Sequence, residues 1–551
     1  METQDQQWDA ISDIVIVGTG CAGLTAALAA HEAGADVLII EKTGLVGGTT
    51  AVSAGALWIP NNHHMQAMDE ADSADEAITY ITSQTDGRGD AALIERFVTV
   101  GPVMAQFVEA QSSLRLAVIP NFPDYHPEMV GGKFRGRSLD AGTFDTRTLG
   151  DWATCLRRSP VFGMLPLSIN ELREYGLSAN PFNTPMALLQ ERLAQGIVSF
   201  GTALVGHLLK ALLDRGIEPR LNCAAQQLIT KNGRVVGVVI EQDGQTQRIG
   251  ARRGVILASG GFEWNPKLTA QFLSGQPIYP QSPPANQGDG LRMAMAIGAD
   301  LANLNEAWWC PVHLLPGEQY DGQPLHRGDF TTMRGLPHTM IVNRQGERFV
   351  NESLTYNDLT KVLLHLDPNH YEHPNLPAWM ILDQGYLSQY TLHTYFPGMP
   401  LPDWLIRADT LAELAGKLGI TPERLTATAD RFNAFAESGV DLDFGRGLSA
   451  HDRDYGDAKH RPNPSLGAIA QPPFCALPIQ VGTLGTKGGV RVDENSQARH
   501  VNGGVIAGLY AVGNVMASAM GAGYPGGGAT IGAAMTFGYI AGQHAAAAIA
   551  S

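Results

Sequence analysis

The sequence predicts an α/β fold: a parallel sheet with a β-meander, interrupted by an inserted α+β unit. Three observations predict it. A short apolar strand, Asp13–Val17, runs straight into Gly18-Thr19-Gly20-Cys21-Ala22-Gly23 and then into an Ala-rich helical stretch. A β-meander signal at Leu221–Gln245 precedes another apolar strand, Gly254–Ala258. The last section returns to strand, Gly-rich loop and helix, so both ends of the chain feed one sheet.

Taken in order, Leu24–Gly34 reads as the first helix and Asp36–Ile40 as the second strand, closed by Glu41. Residues 69–120 read as helical, with turns near Gly87 and Gly101; 121–160 read as loops and short strands, and 187–215 as one or two helices. Met340–Asn343 and Glu347–Val350 read as paired strands around Arg344-Gln345-Gly346. Helices are expected at 407–418 and 421–438, the second with Thr421 as N-cap and Pro422 in its first turn. The simplest domain map is discontinuous: 1–289 and 486–551 form a nucleotide domain, and 290–485 a substrate domain.

Composition narrows the function. Lys plus Arg number 38 and Asp plus Glu 54, a net charge of −16, which argues against a nucleic-acid partner. The five cysteines show no Cys-x-x-Cys spacing, a reduced pattern that points to the cytoplasm. The polar, somewhat acidic Met1–Ala10 does not read as a signal peptide. The membrane-like stretch is Val501–Ser551, which has no charged residue, but Gly521–Gly528 cuts it, so a buried helix from Ala529 is expected and no transmembrane segment. The 16 histidines form no His-Glu-x-x-His or Cys-His pattern, so no metal is expected.

Gly18-x-Gly20-x-x-Gly23, set between strand and helix with Glu41 closing the next strand, is a Rossmann-like dinucleotide signature. Gly18 makes the turn, Gly20 admits the pyrophosphate, Gly23 packs the helix on the sheet, and Glu41 accepts from ribose hydroxyls. Gly47-Gly48-Thr49-Thr50 and Ser53-Ala54-Gly55 follow at once, and their amides could reach a second phosphate or a flavin edge. Tyr125, Tyr356 and Tyr524 each lie in a distinctive segment. A neutral phenol can donate to a developing enolate, and a phenolate can take a proton, although a single tyrosine is more often a packing residue. The loop Gly523–Thr530 exposes amides at a helix start, suited to a flavin oxygen, a substrate carbonyl, or both.

These segments resemble the bacterial 3-ketosteroid Δ1-dehydrogenases, a branch of the succinate dehydrogenase and fumarate reductase flavoprotein superfamily. The resemblance runs through Gly18–Asn62, Tyr125–Gly136, Val342–Tyr356, Phe444–Gly447, Gly482–Gly489 and Gly508–Tyr539. It implies FAD rather than NAD, with the substrate domain inserted into the FAD domain and the active site between them. The flavin is expected to be non-covalent, since no nucleophile such as His lies between Glu41 and Asn62. The implied cofactor set is Gly18, Gly20, Gly23, Glu41, Lys42, Gly47, Gly48, Thr49, Thr50, Gly55, Gly261, Gly513, Asn514, Ala529 and Ile531. The implied catalytic set is Tyr524 and the Gly528 amide on the C3 carbonyl, Tyr356 taking the C2 proton, and Tyr125 steadying its phenolate. A Δ4-(5α)-dehydrogenase, or a flavin protein without steroid turnover, are the alternatives. The electron acceptor stays unnamed. A steroid substrate partitions into lipid, and residues 362–404 are rich in Tyr and Trp, so peripheral membrane contact or a partner protein is an expectation for that segment.

Overall fold

The computed structural model describes residues 7–68, 71–163 and 165–549. The leader expectation rests partly on residues 1–6, which lie outside the described residues.

The Ile/Val run of β1 (Ala10–Val17) is buried on both faces, as a central parallel strand requires. It is followed by α1 (Cys21–Glu32), β2 (Val37–Ile40) and the short helix α2 (Gly48–Val52). The sheet order is β2, β1, Gln245–Leu257, Val505–Ala511, Gln497–Arg499. Its first four strands are parallel and share a level: Val17 lies opposite both Ile40 and Leu257, and Leu257 lies opposite Ala511. The chain therefore leaves all four strands over one edge of the sheet, which is where open α/β sheets bind ligands.

Gly254–Ala258, expected as a separate strand, is the end of one 13-residue strand, Gln245–Leu257. Its first part pairs antiparallel with Arg234–Gln242, and its last part joins the parallel sheet. An irregularity opposite Ser12–Ile14 separates the two parts, so the sequence shows them as two runs.

The terminal helix Ala529–Ala547 packs along α1 at close range. A Cβ on Gly538 would stand 2.4 Å from the Ala22 carbonyl oxygen, so only glycine lets the two helices meet there. The helix Ala91–Gln111 runs unbroken through Gly101-Pro102, where a turn was expected. Gly101 faces Ile59 and Thr536 at ordinary contact distance, so the helix packs through this point and tertiary contact overrides the local signal. Among the described residues, this is also the one helix long and apolar enough to cross a membrane; it is half-buried against Ala74–Ser83 and the terminal helix.

The second sheet is antiparallel, in the order Thr339–Asn343, Ala378–Leu382, Phe474–Ile479, Ile406–Ala408. Alternation along it is strict: Ile341, Met380 and Leu382 join Leu359, Leu363 and Tyr386 on one side, while Met340, Val342 and Ile381 meet Leu414, Leu425 and Phe432 on the other. Thr421 precedes the helix Pro422–Ser438 as expected, but its side chain makes no capping hydrogen bond. Glu347–Val350 is not a strand. The turn is present, with the Asn343 amide donating to the Glu347 carbonyl at 3.0 Å, and the expected pairing survives as a single antiparallel bridge, Val342 with Arg348; the extended partner of Thr339–Asn343 is Ala378–Leu382.

Most of the aromatics of 362–404 belong to this core. Tyr386, Tyr390 and Tyr395 are buried, their hydroxyls donating to Thr391 O, Asp457 and Leu387 O, and Trp379 is buried in the second sheet. Tyr371 and Phe396 are exposed. Core packing thus accounts for much of the aromatic density that suggested an interface.

Candidate active site

One cavity of about 430 Å³ starts at the shared edge of the parallel sheet and ends at three tyrosines. The parallel register builds its first half. Gly18 follows β1, Glu41 follows β2, Ser259 and Gly260 follow Gln245–Leu257, and Gly513 and Asn514 follow Val505–Ala511; all line the cavity. The three motif glycines have different jobs. A Cβ on Gly18 would lie 2.4 Å from the Ala258 carbonyl oxygen, and one on Gly23 would lie 2.1 Å from that of Gly18. A Cβ on Gly20 meets only Thr50 Oγ1, at 3.6 Å. Gly18 and Gly23 therefore serve the protein's own packing, whereas Gly20 faces room kept for a ligand.

The helices α1 and Ala529–Ala547 both open onto the cavity from glycine N-caps, Gly20 and Gly528, with no side-chain cap. The first amide of each is taken up within the protein, Cys21 N by Thr50 Oγ1 and Ala529 N by the Gly526 carbonyl, so what the two helix starts offer an anionic or carbonyl oxygen is the positive end of their dipoles. Glu41 is fixed for its task by Thr19, whose hydroxyl donates to Oε2 at 2.7 Å, and by Thr43, whose hydroxyl donates to Oε1 at 3.0 Å. Thr50 Oγ1 accepts from the Cys21 amide at 3.0 Å, and Asn286 donates to Thr49 Oγ1 at 2.8 Å, tying the two glycine loops together. These features fit FAD: a pyrophosphate at Gly20, a ribose at Glu41, and a flavin toward the tyrosines. The cavity's own nucleophiles are held quiet. Burial pushes the Cys21 and Cys223 thiols up to about 11, and His326 Nδ1 is engaged with the Pro280 carbonyl at 2.6 Å. Protonated thiols suit a cofactor bound without a covalent link.

Of the cofactor set, Gly18, Gly20, Glu41, Lys42, Gly48, Thr49, Thr50, Gly55, Gly513, Asn514 and Ile531 line the cavity. Gly23, Gly47, Gly261 and Ala529 stand behind its wall. Gly261 is crowded by Glu263 and Thr486, each of which would be 2.3 Å from a Cβ, and its neighbour Gly260 is the residue exposed to the cavity. Thr19, Asn286 and Thr530 were missed in the sequence. The partners of Thr19 and Asn286 come from other strands and loops, Glu41 and Thr49, whereas Thr530 meets Tyr524 within the one segment Gly523–Thr530.

Tyr125, Tyr356 and Tyr524 come from three separate regions and meet at the other end. Their ring centroids form a near-equilateral triangle of 5.4, 5.3 and 5.4 Å, each pair edge to face. Tyr125 Oη donates to Tyr356 Oη at 2.5 Å, and Thr530 Oγ1 donates to Tyr524 Oη at 3.2 Å. Gly528 starts the terminal helix beside them, and its amide has no acceptor among the described residues. Burial raises all three phenols above their ordinary pKa, Tyr125 and Tyr356 well above 10. The three are therefore neutral at pH 7 and able to donate.

Each phenol is firmly delivered. The Tyr125 amide donates to the Pro525 carbonyl at 3.0 Å, which Tyr80 also contacts through its hydroxyl at 2.7 Å. Tyr356 opens the helix Tyr356–Leu363, whose cap Thr355 accepts from the Asp358 amide. His126 and Asp358, neighbours of Tyr125 and Tyr356, pair at 2.9 Å across the site. Burial disfavours the charge on both; their contact wins, raising the His126 pKa and lowering that of Asp358. The segment before Tyr356 rests on a buried network: Arg348 grips Glu352 through two bonds of 2.7 Å, Arg446 reaches Glu352 at 3.2 Å, and Arg334 donates to the Leu354 carbonyl at 2.8 Å. The distinctive Phe444-Gly445-Arg446-Gly447 is thus a support for Tyr356 and does not itself line the cavity.

The cations on the cavity wall are already paired. Lys42 contacts Asp289 at 2.5 Å, Arg157 contacts Asp321 at 2.5 Å, and Arg173 contacts Asp454 at 2.5 Å. A carboxylate clamp would need at least one free for the ligand. Against the expectation of no metal pattern, His63, His64 and Glu109 do come together, with Glu109 at 2.8 Å from His63 and 3.3 Å from His64. They lie off the cavity wall, and the same carboxylate accepts from the Leu116 amide. Adjacent histidines completed by a distant Glu escape any spacing rule.

A family model described as FAD binding domain matches residues 13–531. The chain is 40% identical over 540 residues to the 4-oxocyclohexanecarboxylate 2-dehydrogenase of Sinomonas cyclohexanicum, covering 96% of this chain and 92% of that one. It is 38% identical over 562 residues to the 3-oxosteroid 1-dehydrogenase of Mycobacterium tuberculosis, covering 97% and 98%. Among solved structures, it superposes with a TM-score of 0.91 on the 3-ketosteroid delta1-dehydrogenase from Sterolibacterium denitrificans in complex with 1,4-androstadiene-3,17-dione, at 34% identity, covering 98% and 99%. With the cavity and the parallel edge beneath it, these likenesses show that the chain belongs to the flavoprotein family defined by this FAD binding domain and is closely related to the 3-ketosteroid dehydrogenases.

Proposed function

We propose that this chain is an FAD-dependent dehydrogenase of 3-ketosteroids that introduces the C1–C2 double bond. The observation that carries the reading is the buried phenol triangle beside the Gly528 amide, at the end of a cavity whose lining cations are all paired. Such a wall suits a neutral ketone. FAD, when bound, supplies the two-electron acceptor for the hydride that leaves C1. Tyr524 Oη and the Gly528 amide hold the C3 oxygen and stabilise charge as it develops there. Tyr356 acts in its deprotonated form, its own proton having passed to solvent: the phenolate oxygen takes the C2 proton, and Tyr125, donating to that oxygen, steadies the phenolate. The rings exclude water from the reacting face and strengthen both hydrogen bonds.

Anaerobic addition of a 1,2-saturated 3-ketosteroid should bleach the flavin, and the product should be two mass units lighter with its new double bond at C1–C2. An unbleached flavin would refute the reading, and a new bond at C4–C5 would refute the regiochemistry. The 40% identity to a 4-oxocyclohexanecarboxylate 2-dehydrogenase favours a second reading, a monocyclic ring ketone acid with the same enolisation chemistry. The paired state of Lys42, Arg157 and Arg173 weighs against it. Higher kcat/KM on that acid than on any steroid would reverse the preference.

A further inference from the structure

Lys487 is fully buried and has no ion-pair partner among the described residues. It follows the strand Gly482–Thr486, inside the Gly-Thr-Leu-Gly-Thr-Lys-Gly-Gly segment. Burying an ammonium without a counter-charge is costly, so its surroundings are informative. Nζ donates to the Ala522 carbonyl at 2.9 Å and the Gly523 carbonyl at 2.8 Å, the two residues just before Tyr524. The same nitrogen sits 4.6 Å from the Trp308 ring centroid and 5.9 Å from that of Tyr524, and those two rings touch edge to face at 4.8 Å.

We infer that Lys487 positions and polarises Tyr524: it clamps the two carbonyls that set the phenol's place and puts a positive charge by its ring, strengthening the O–H as a donor to the ketone oxygen. The inference rests on the function proposed above. A cation beside a phenol favours electron withdrawal from its O–H and so strengthens it as a donor. Other charges face Lys487. Lys361 donates to the same Ala522 carbonyl at 2.8 Å and lies 3.5 Å from Glu306, which Arg88 contacts at 2.7 Å; Asp358 lies on the helix that carries Lys361. Burial, reinforced by Lys361 and Arg88 and opposed by Glu306 and Asp358, pulls the ammonium down to about 7. Negative charge growing on the C3 oxygen favours the protonated form, so the interaction is stronger in the transition state than in the ground state.

The test uses holoenzyme carrying K487M, K487R and K487Q. Three quantities are read: kcat, steroid Kd from flavin spectra, and exchange of the C2 hydrogen into D2O by dithionite-reduced enzyme, which reports enolisation without oxidation. In K487M, kcat and exchange should both fall roughly tenfold or more, while Kd stays within about threefold. K487R, which restores the cation, should recover at least about a third of the parent rates. Exchange by K487M within about twofold of the parent overturns the inference, as does K487R no faster than K487M. Loss of FAD from both K487M and K487Q also overturns it, assigning Lys487 to cofactor binding instead. If the parent enzyme itself neither oxidises the steroid nor exchanges its C2 hydrogen, the functional reading fails first.

Discussion

Tyr356→Phe removes a single oxygen from a packed triangle of rings. The phenyl ring keeps its edge-to-face contacts with Tyr125, Tyr524 and Phe330, so cavity shape and steroid packing are preserved. Two things are lost. One is the atom proposed to take the C2 proton; general base catalysis is worth about 10²–10⁴ in rate, or about 2.7–5.5 kcal/mol of barrier. The other is the acceptor for the Tyr125 hydroxyl, now 2.5 Å away and buried. Stranding that donor costs about 1–3 kcal/mol of stability. The expected variant is therefore yellow, folded, somewhat less heat-stable and nearly inactive. The assay pairs steady-state kcat with steroid Kd from flavin titration, and adds C2-hydrogen exchange by the reduced enzyme. Exchange must collapse with kcat, because both need the same proton acceptor. Retention of more than about a tenth of parental kcat would remove Tyr356 from the role of base. Loss of FAD or steroid binding would make its role structural.

Tyr524→Phe should behave differently: it removes a donor already engaged with the ketone in the ground state, so steroid Kd and kcat both worsen, and an unchanged Kd would contradict the assignment. Gly20→Val should fold but hold no FAD, since its Cβ has room in the protein, whereas Gly23→Val should fail to fold, its Cβ falling 2.1 Å from a carbonyl oxygen; stoichiometric FAD in the Gly20 variant would show the motif misread. Activity should climb with pH. Burial holds the Tyr356 phenol well above 10, so the basic phenolate gains about tenfold per pH unit below that value, and a flat kcat between pH 7 and 9 would count against a phenolate base. FAD should be released by acid precipitation alone, and flavin remaining with the pellet would indicate a covalent bond.

Much of the cofactor half was legible in the sequence because its chemistry is local. An apolar strand, a glycine turn and a helix start are consecutive, so spacing alone singles out Gly18, Gly20 and Glu41, and all three line the cavity. The same locality misleads where long-range packing decides. Gly101-Pro102 reads as a break and is the middle of a helix, and Glu347–Val350 reads as half of a hairpin whose partner pairs mainly elsewhere. The catalytic half was visible only through resemblance. Taken singly, Tyr125, Tyr356 and Tyr524 are ordinary aromatics on separate segments. What makes them a site is the convergence of their rings, and nothing in their spacing encodes it. Charge tells the same story. Composition fixes the net −16, but whether an arginine clamps a ligand depends on which carboxylate faces it, and only the fold sets Asp321 against Arg157 and Asp454 against Arg173 while leaving Lys487 outside any ion pair among the described residues. Covalent order dictates turns and periodicity within a few residues. Electrostatics and proton transfer act over a few ångströms between residues hundreds of positions apart, so tertiary structure alone decides them.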